Sequence, residues 1–567
     1  MSINFKKIAN LLEVGNTKAV RKLLPKIRTQ APKAAIEIEA QILTSEARFD
    51  DALDILRPYI QAYPLAEIGY YNLISFIRVL MAVKAWDEAF SWCMKAIDFD
   101  DKRVEAPEQM YAILTNTDRW YDAIHVARRL QENFPDRLKY KIIRLVAEGR
   151  VQNHEKAMEL WEEIRLQSDS DEVRKNNQLH NSLISLYISM GRIDDAWDHA
   201  ESFELFSRKD PVLALGMPTL FQVAGRHEEG LRYLEDCVER WPDIPEFRWN
   251  LALMQLANGD MVKGWESYER RWDWDKFPSP CKRFSIPQLA LEDALSSRSL
   301  YLWGEQGLGD NLMFLSFVPA LLKEQPSKII CEIPPKLIPF VEKLYPEIEF
   351  VEFQSQLDLQ SDERANTYDY HLPVGSLVRR YVSCVEDFKK RTVRKFRVTD
   401  VERLKLLGGA GGKKIVGLAW RSGLVNYDRR KFYLNANFAS ALMRDHGSDV
   451  TFLILQYSLT DQEKEVLAEN PNCVIPDVEF FDDILCHAKF AACCDLVITP
   501  PTILVSLSGH ANVPVISWGP KNAWTKFGTG QNVWWRQNHS VSCDPGWDKG
   551  AVGAQLRRLA AKAIELL

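Results

Sequence analysis

The sequence predicts an α-solenoid followed by an α/β region with two doubly wound lobes. Three observations predict it: a 34-residue period in the first half, a proline-rich break after Trp272, and strands alternating with helices from about Ser299 onward. We expect repeats over residues 1–272, a connector over 273–298, a first lobe over 299–410 and a second lobe over 411–567. A chain of 567 residues is also longer than one hydrophobic core usually supports.

Composition excludes several classes of protein. The net charge of −6 argues against a nucleic-acid-binding surface, and no window approaches the length of about 18 apolar residues that a membrane span needs. The first residues are typical of an amphipathic helix and not of a signal peptide. The 10 cysteines include no Cys-x-x-Cys pair, which suits neither a metal site nor a disulfide framework. We therefore expect a cytoplasmic protein with reduced cysteines and no bound metal.

The repeats share a small residue in one frame. Its positions are Ala52, Ala89, Ala123, Ala157, Ala196, Gly230 and Gly264, with Ala19 preceding them. The spacings after Ala52 are 37, 34, 34, 39, 34 and 34 residues. A 34-residue period is that of the tetratricopeptide helix-turn-helix unit, in which the small residue lets two antiparallel helices approach closely.

Helix-stop signals keep the same frame. Prolines that should follow the second helix stand at 64, 135 and 242, and glycines suited to a left-handed cap of the first helix stand at 191, 225 and 259. Stacked repeats leave a concave groove that usually holds an extended peptide or a partner protein. The alternative is that the repeats only dimerise the protein or scaffold its fold.

Two series of strands make up the rest of the chain. The first comprises SLYLW, KIICEI and IEFVEF, and the second comprises KKIVGLAW, VTFLILQY, CVIPD, DLVITP and VPVISWG. Alternation with helices implies parallel sheets in two lobes. Ligands of such sheets sit at the carboxyl ends of the strands, so we expect a cleft between the lobes.

A glycine-rich turn follows the first strand, in the run WGEQGLGDN. Gly304, Gly307 and Gly309 let the backbone turn sharply and approach a ligand. Asp310 follows the last glycine, where its carboxylate could take a proton from an acceptor hydroxyl. The alternative is that Asp310 only caps the next helix.

A second turn, TPPTILVS, lies between the strand DLVIT and the next helix. The amides at the helix start, with the Thr502 hydroxyl, form a seat for a phosphate. The alternative is an ordinary helix start, because proline is common in the first helical turn.

Further donor-binding candidates follow other strands of the second series. Arg421 and Ser422 come directly after KIVGLA, where a cation can neutralise a phosphate leaving group, and Gln456 ends VTFLILQ. The basic run 429–431 adds charge or is solvated surface. We expect the glycine-rich turn, Arg421 and the double-proline turn to face one cavity.

Three stretches, ANGDMVKGWESYERRW, LYLWGEQGLGDNLMF and DLVITPPTILVSLSGHANVPV, resemble the bacterial tetratricopeptide-repeat glycosyltransferases. Their catalytic half is similar to ADP-heptose heptosyltransferases and, more distantly, to O-linked N-acetylglucosamine transferase. The resemblance implies a GT-B fold and metal-independent transfer of sugar with inversion. It implies Asp310 as general base and contacts of Arg421 and Gln456 with the donor phosphates. The other donor-binding candidates are Gly307, Gly309, Ser422, Thr499, Thr502 and Ser506.

The second turn departs from most of these relatives, which carry Val-Asp-Thr and then His. Here Pro501 replaces the Asp, Ser506 replaces the His, and His510 lies one helical turn further on. This version resembles the branch that includes flagellin glycosyltransferases, which implies a CMP-activated nonulosonic acid such as pseudaminic acid and flagellin as the acceptor. The alternatives are an NDP-hexose or NDP-heptose donor, and a non-catalytic repeat scaffold.

Overall fold

The computed structural model describes residues 4–13, 16–167, 170–279, 281–353, 363–408, 413–423, 432–446, 450–543 and 548–567. It divides into two compact units, Met1–Leu179 and His180–Leu567. The second unit contains both sheets. None of the helices in the described part of the chain combines the length and the apolar character that crossing a membrane requires. The domain boundary near residue 272 stays a prediction.

Paired helices fill the first half. Before the first predicted hairpin lie Phe5–Glu13 and Thr17–Gln30. The hairpins are Pro32–Ser45 with Phe49–Ala62, Tyr70–Ala82 with Trp86–Phe99, Glu105–Asn116 with Trp120–Asn133, Leu138–Arg150 with His154–Arg165, Asn177–Ser189 with Ile193–Ser202, Pro211–Val223 with His227–Arg240, and Pro245–Ala257 with Met261–Tyr268. The two longer spacings contain the extra short helices Leu65–Ile68 and Asp171–Arg174.

The small residue of each hairpin lies where the helices touch. Ala52, Ala89, Ala123, Ala157 and Ala196 are each 0% exposed. A Cβ at Gly264 would stand 2.7 Å from Leu256 Cγ, which is too close. The residue five positions earlier has left-handed backbone in every hairpin, at Ala47, Lys84, Asp118, Gln152, Gly191, Gly225 and Gly259. The repeat frame is thus set by packing and by the turn.

The described residues contain ten parallel strands, which form two sheets. The first sheet contains β1 (Ser299–Trp303), β2 (Lys328–Ile333), β3 (Glu349–Glu352) and β4 (Tyr370–Pro373), in the order β3-β2-β1-β4. The second contains β5 (Lys414–Leu418), β6 (Val450–Ile454), β7 (Cys473–Val474), β8 (Leu496–Thr499), β9 (Val515–Pro520) and β10 (Asn538–Cys543), in the order β10-β9-β8-β5-β6-β7. Both orders reverse beside their first strand, as in doubly wound folds.

Helices accompany both sheets. Between β1 and β5 lie Leu308–Leu315, Val318–Leu322, Ile338–Leu344, Ser376–Tyr381, Val385–Lys390 and Asp400–Leu407. After β5 lie Ala436–Arg444, Asp461–Ala468, Ile484–Ala492, Ile503–Ala511 and Lys549–Leu566. The predicted fold class, an α-solenoid followed by two Rossmann-like lobes of the GT-B kind, is confirmed.

Both sheets are buried on both faces. Leu300 and Leu302 of β1 pack into the large core of this unit, whereas Tyr301 and Trp303 pack into a separate aromatic cluster on the other face. Such burial explains why central strands such as β1 and β6 are largely apolar runs. Trp265 and Tyr268 of the last hairpin also belong to the large core. The last hairpin is therefore packed as a part of the α/β region.

Candidate active site

The glycine-rich turn joins β1 to the helix Leu308–Leu315. Gln306 has left-handed backbone, with φ of 59°. Asp310 is half-buried, and its Oδ2 accepts a hydrogen bond from the Gly307 N–H at 3.1 Å. Gly307 is the N-cap of this helix and Asp310 is its third residue, so Asp310 is not the N-cap that the alternative expects, although it binds the N-cap amide. This hydrogen bond also holds the Asp310 carboxylate at the carboxyl edge of β1.

A buried asparagine fixes the shape of this turn. Asn311 Oδ1 accepts from the Glu305 N–H at 3.2 Å, and Asn311 Nδ2 donates to the carbonyls of Glu305 at 2.8 Å and Gly307 at 2.9 Å. A Cβ at Gly304 would stand 2.6 Å from Asn311 Oδ1. Glycine is thus required at 304 by packing, and the backbone that precedes Asp310 is held in one conformation.

The double-proline turn joins β8 to the helix Ile503–Ala511. Thr499 is 0% exposed, and its Oγ1 lies 3.2 Å from Thr502 Oγ1. Thr502 caps the helix, since its Oγ1 accepts from the Leu504 N–H at 3.3 Å. The two predicted threonines therefore lie together at a helix N-terminus, where backbone amides and the helix dipole favour an anion.

The two turns touch each other although they come from different lobes. Ser506 Oγ donates to the Gly309 carbonyl at 3.4 Å. A Cβ at Gly309 would stand 3.5 Å from Ile503 Cα. Gly309 precedes Asp310, so the proposed base and the proposed phosphate seat belong to one continuous surface. The sequence predicts that these two turns and Arg421 face one cavity, and that larger arrangement stays a prediction.

Arg421 and Gln456 lie at the carboxyl ends of β5 and β6. Gln456 is 3% exposed, and its Oε1 accepts from the N–H groups of Trp420 and Arg421, both at 3.0 Å. The Arg421 guanidinium forms a fork with Glu463, with Nη2–Oε2 at 2.7 Å and Nε–Oε1 at 3.1 Å. Gln456 thus shapes the turn, and Arg421 is neutralised by a carboxylate of its own lobe.

Glu463 receives several hydrogen bonds. Burial disfavours its charge, but hydrogen bonds from Arg421, the Thr460 N–H and Trp420 lower the pKa of Glu463 to about 2. The ion pair is therefore formed at neutral pH. Because β5 lies between β6 and β8, with the Ala419 N–H donating to the Ile498 carbonyl at 3.0 Å, Arg421 follows the strand next to the one that leads into the double-proline turn.

Ser422 is close to a tyrosine that follows Gln456. The Tyr457 hydroxyl accepts from the Gly423 N–H at 2.6 Å and lies 3.5 Å from Ser422 Oγ. Ser422 thus lies next to the residue that follows Gln456. The basic run 429–431 lies outside the described residues.

His510 belongs to the core and not to the turn. It is 0% exposed, its Nδ1 lies 3.0 Å from the Arg394 carbonyl, and its ring packs 4.9 Å from that of Trp535. Burial lowers the pKa of His510 to about 4, so the ring is neutral at physiological pH. His510 therefore does not stand in for the histidine that the resembling enzymes carry at the position of Ser506.

A second contact links the lobes at the end of β2. Lys336 Nζ pairs with Asp482 Oδ1 at 2.8 Å and donates to the Phe481 carbonyl at 3.2 Å.

A cavity of about 370 Å³ lies elsewhere in this unit, lined in part by residues 288–292, Ser376 and Arg379. Its lining contains none of the predicted site residues, and the location of the site at the two turns stays a prediction.

Sequence reasoning missed the charged residues that support these turns. The sequence analysis predicts no role for Glu305, although it lies inside the glycine-rich motif, and its partner Arg271 ends the last repeat.

Among the described residues, no group of 3 or more His, Cys, Asp or Glu side chains could hold a metal ion. The roles of the predicted site residues and metal-independent transfer stay predictions.

Comparisons with known proteins give partial likenesses. No family model matches the chain. The sequence is 27% identical over 336 residues to the protein FlbA of Caulobacter vibrioides. The match covers 55% of this chain and 54% of FlbA. The chain thus spans about half the length of this curated relative.

Two solved structures belong to the two kinds of protein that the sequence resembles. The E. coli ADP-heptose LPS heptosyltransferase II is 12% identical and covers 47% of this chain and 99% of its own, with a TM-score of 0.37. A tetratricopeptide repeat protein from Parabacteroides merdae is 14% identical and covers 43% of this chain and 94% of its own, with a TM-score of 0.37. The chain is thus similar both to a glycosyltransferase and to a tetratricopeptide repeat protein, at a level that leaves the function to be argued from the site.

Proposed function

We propose that this protein is a glycosyltransferase that moves a sugar from a nucleotide donor to a hydroxyl group of a protein. The observation that carries the proposal is the contact between the Gly309 backbone and Ser506. It joins the turn that presents Asp310 to the turn that Thr502 caps. Proton removal and leaving-group stabilisation, the two needs of glycosyl transfer, would therefore be met on one surface.

Each turn has one role in the proposed reaction. Asp310 takes the proton of the acceptor hydroxyl as that oxygen attacks the anomeric carbon of the sugar. The bond between this carbon and the phosphate oxygen breaks, and the negative charge that develops on the phosphate is stabilised by the start of the helix Ile503–Ala511 and by Thr502. Attack opposite to the leaving phosphate inverts the configuration at the anomeric carbon.

The donor that we propose is a CMP-activated nonulosonic acid. The turn from Thr499 to Ser506 contains no ionisable side chain, since proline and serine replace the aspartate and histidine of the resembling enzymes. The nearby Arg421 is already paired with Glu463. Among the described residues, the site thus has little uncompensated positive charge, which suits a monophosphate better than a diphosphate, whose two charges need more compensation.

The acceptor that we propose is flagellin, bound by the helical repeats. Stacked helical hairpins present a long surface on which an extended chain segment can lie. The choice of flagellin rests on the sequence resemblance at the second turn. It is a separate proposal from sugar transfer itself and is tested separately.

Nucleotide binding tests the proposed donor. Thermal unfolding is measured with CMP, UDP and ADP, since a ligand at a hundredfold excess over its Kd stabilises the folded state by about 2.7 kcal/mol. We expect CMP to raise the Tm and the other two to leave it unchanged. A response to UDP or ADP alone would select an NDP-sugar donor, and no response to any of the three would favour a non-catalytic scaffold.

A further inference from the structure

A buried ion pair ties the last helical hairpin to the glycine-rich turn. Arg271 lies in the short helical turn Glu269–Asp273 that ends the hairpin, and Glu305 lies in the glycine-rich turn. Both side chains are 0% exposed. Arg271 Nε donates to Glu305 Oε2 at 2.7 Å, and Arg271 Nη2 donates to Glu305 Oε1 at 2.8 Å. This is the two-pronged geometry in which a guanidinium holds a carboxylate most firmly.

The remaining donors of Arg271 are also used. Nη1 donates to the Tyr268 carbonyl at 3.0 Å, and Nη2 also reaches Ser376 Oγ at 3.2 Å. The guanidinium lies 4.5 Å from the centre of the Tyr268 ring and 4.4 Å from that of Trp272. Burial opposes the charge, but the carboxylates of Glu305 and Glu269 hold the pKa of Arg271 above its ordinary value. The arginine is therefore charged and fixed in one orientation.

Glu305 is held equally firmly on the side of the lobe. Its Oε1 also accepts from the Gly375 N–H, after β4, at 2.7 Å. A Cβ at Gly375 would stand 2.1 Å from this oxygen, so no other residue fits there. Glu305 thus fills the place between the ends of β1 and β4 where the strand order reverses, which is a common ligand position in doubly wound sheets.

Direct hydrogen bonds within the glycine-rich turn connect the Arg271–Glu305 pair to Asp310. Glu305 shares two backbone hydrogen bonds with Asn311, which in turn holds the Gly307 carbonyl. The Gly307 N–H then holds the Asp310 carboxylate. Next to Glu305, the Gln306 side chain is hydrogen-bonded to the Tyr268 hydroxyl of the same hairpin.

We propose that Arg271 is a positioning residue: through Glu305 it holds the glycine-rich turn in the conformation that presents Asp310. The last hairpin is then a part of the active site and not only of the acceptor-binding repeats. This inference rests on the proposed function, because it gives Asp310 the role of base. A reacting group that is displaced by about 1 Å can lose on the order of 100-fold in rate, so such support matters for catalysis.

The test compares Arg271→Lys with Arg270→Lys. Lysine keeps the charge at 271 but cannot form the fork. Arg270 is the matched control, because its side chain is 61% exposed and pairs with Asp273 at the surface. Glu305→Gln, which keeps the shape of the side chain, serves as a second variant if Arg271→Lys does not fold.

Two measurements are made on the full chain. The first is hydrogen exchange of the amides of residues 304–311, which we expect to accelerate about tenfold or more in Arg271→Lys and to stay unchanged in Arg270→Lys. The second is transfer from a CMP-nonulosonate to flagellin, where we expect kcat to fall about 100-fold while the KM for the donor changes by less than about threefold.

Either measurement can overturn the inference. If exchange in the turn or kcat stays at the parent value in Arg271→Lys, Arg271 does not position Asp310. If the parent protein transfers no sugar, the proposed function fails, but hydrogen exchange needs no substrate and still decides whether the pair holds the turn. The two failures are therefore distinguishable.

Discussion

The Ser506 hydroxyl lies 3.4 Å from the Gly309 carbonyl, and this contact brings a turn of one lobe against a turn of the other. Asp310 follows directly in the first turn, and Thr502 caps the helix that carries Ser506. The first two predictions test the role of each turn.

We expect Asp310→Asn to lower transfer by about 100-fold to 10,000-fold while CMP binding stays the same, because asparagine keeps the shape of the side chain but is not a base. Initial rates and CMP titration measure the two effects. Asp387→Asn is the matched control, since Asp387 also caps the first turn of a short helix, by accepting from the Cys384 N–H at 3.2 Å. Transfer near the parent rate in Asp310→Asn would reduce Asp310 to a helix cap.

We expect Thr502→Val to weaken CMP binding about tenfold, since a hydrogen bond to a charged group contributes about 1.5 kcal/mol. The variant also loses a helix cap, which costs about 1 kcal/mol of stability. Thr399→Val loses the same kind of cap at the helix Asp400–Leu407 and should leave the affinity for CMP unchanged. Equal CMP affinities in the two variants would show that the Thr502 hydroxyl does not bind the phosphate.

We expect Gly375→Ala to lower the free energy of unfolding by about 2 kcal/mol or more, because the new methyl group overlaps the Glu305 carboxylate. Gly309→Ala is the control, since its Cβ would meet Ile503 Cα at an ordinary 3.5 Å. Gly309→Ala should lower the free energy of unfolding by less than about 0.5 kcal/mol. Denaturant unfolding measures the free energy of unfolding of both variants. If Gly375→Ala and Gly309→Ala lower it by similar amounts, the packing around Glu305 is not tight.

The Arg421–Glu463 pair predicts a pH dependence of stability. The pKa of Glu463 is about 2 in the folded protein, below its ordinary value, so the stabilisation is complete above about pH 5 and is lost as the pH falls towards 2. We expect Glu463→Gln to cost up to about 3 kcal/mol at pH 7 and progressively less in acid. Glu465→Gln, an exposed neighbour on the same helix, should cost nothing measurable. If Glu463→Gln lowers the free energy of unfolding by the same amount in acid as at pH 7, the Arg421–Glu463 pair does not stabilise the protein.

Deletion of residues 1–150 tests the acceptor role of the outer repeats. These residues belong to the first compact unit, whereas both sheets lie in the second. We expect the truncated protein to bind CMP like the parent and to glycosylate flagellin poorly, with a raised KM for the acceptor. Unchanged glycosylation of flagellin would show that these repeats do not recruit it.

The repeats and most strands could be predicted because their patterns are local. The strand predicted at SLYLW coincides with β1, and the small residues of the frame lie where the helices touch. The strands β4 and β10 were missed, since YHLP is short and NHSVSC alternates with polar residues. The left-handed turns at Ala47, Lys84, Asp118 and Gln152 were also missed, because hairpin packing imposes there a conformation that the residue type does not favour.

The supporting contacts of the site could not be predicted, because their partners are distant in sequence. The sequence predicts that Arg421 meets a phosphate, whereas its pairing with Glu463 depends on the adjacency of β5 and β6. The Arg271–Glu305 pair likewise joins a repeat to a lobe. Such contacts depend on the tertiary fold, to which a single sequence offers no local signal.

The most direct test of the proposed function is a crystal structure of the protein with CMP. We predict that the phosphate binds at the start of the helix Ile503–Ala511, within hydrogen-bonding distance of the Thr502 hydroxyl and on the same surface as Asp310. CMP bound at another place, such as the cavity beside Ser376 and Arg379, would contradict the proposed site.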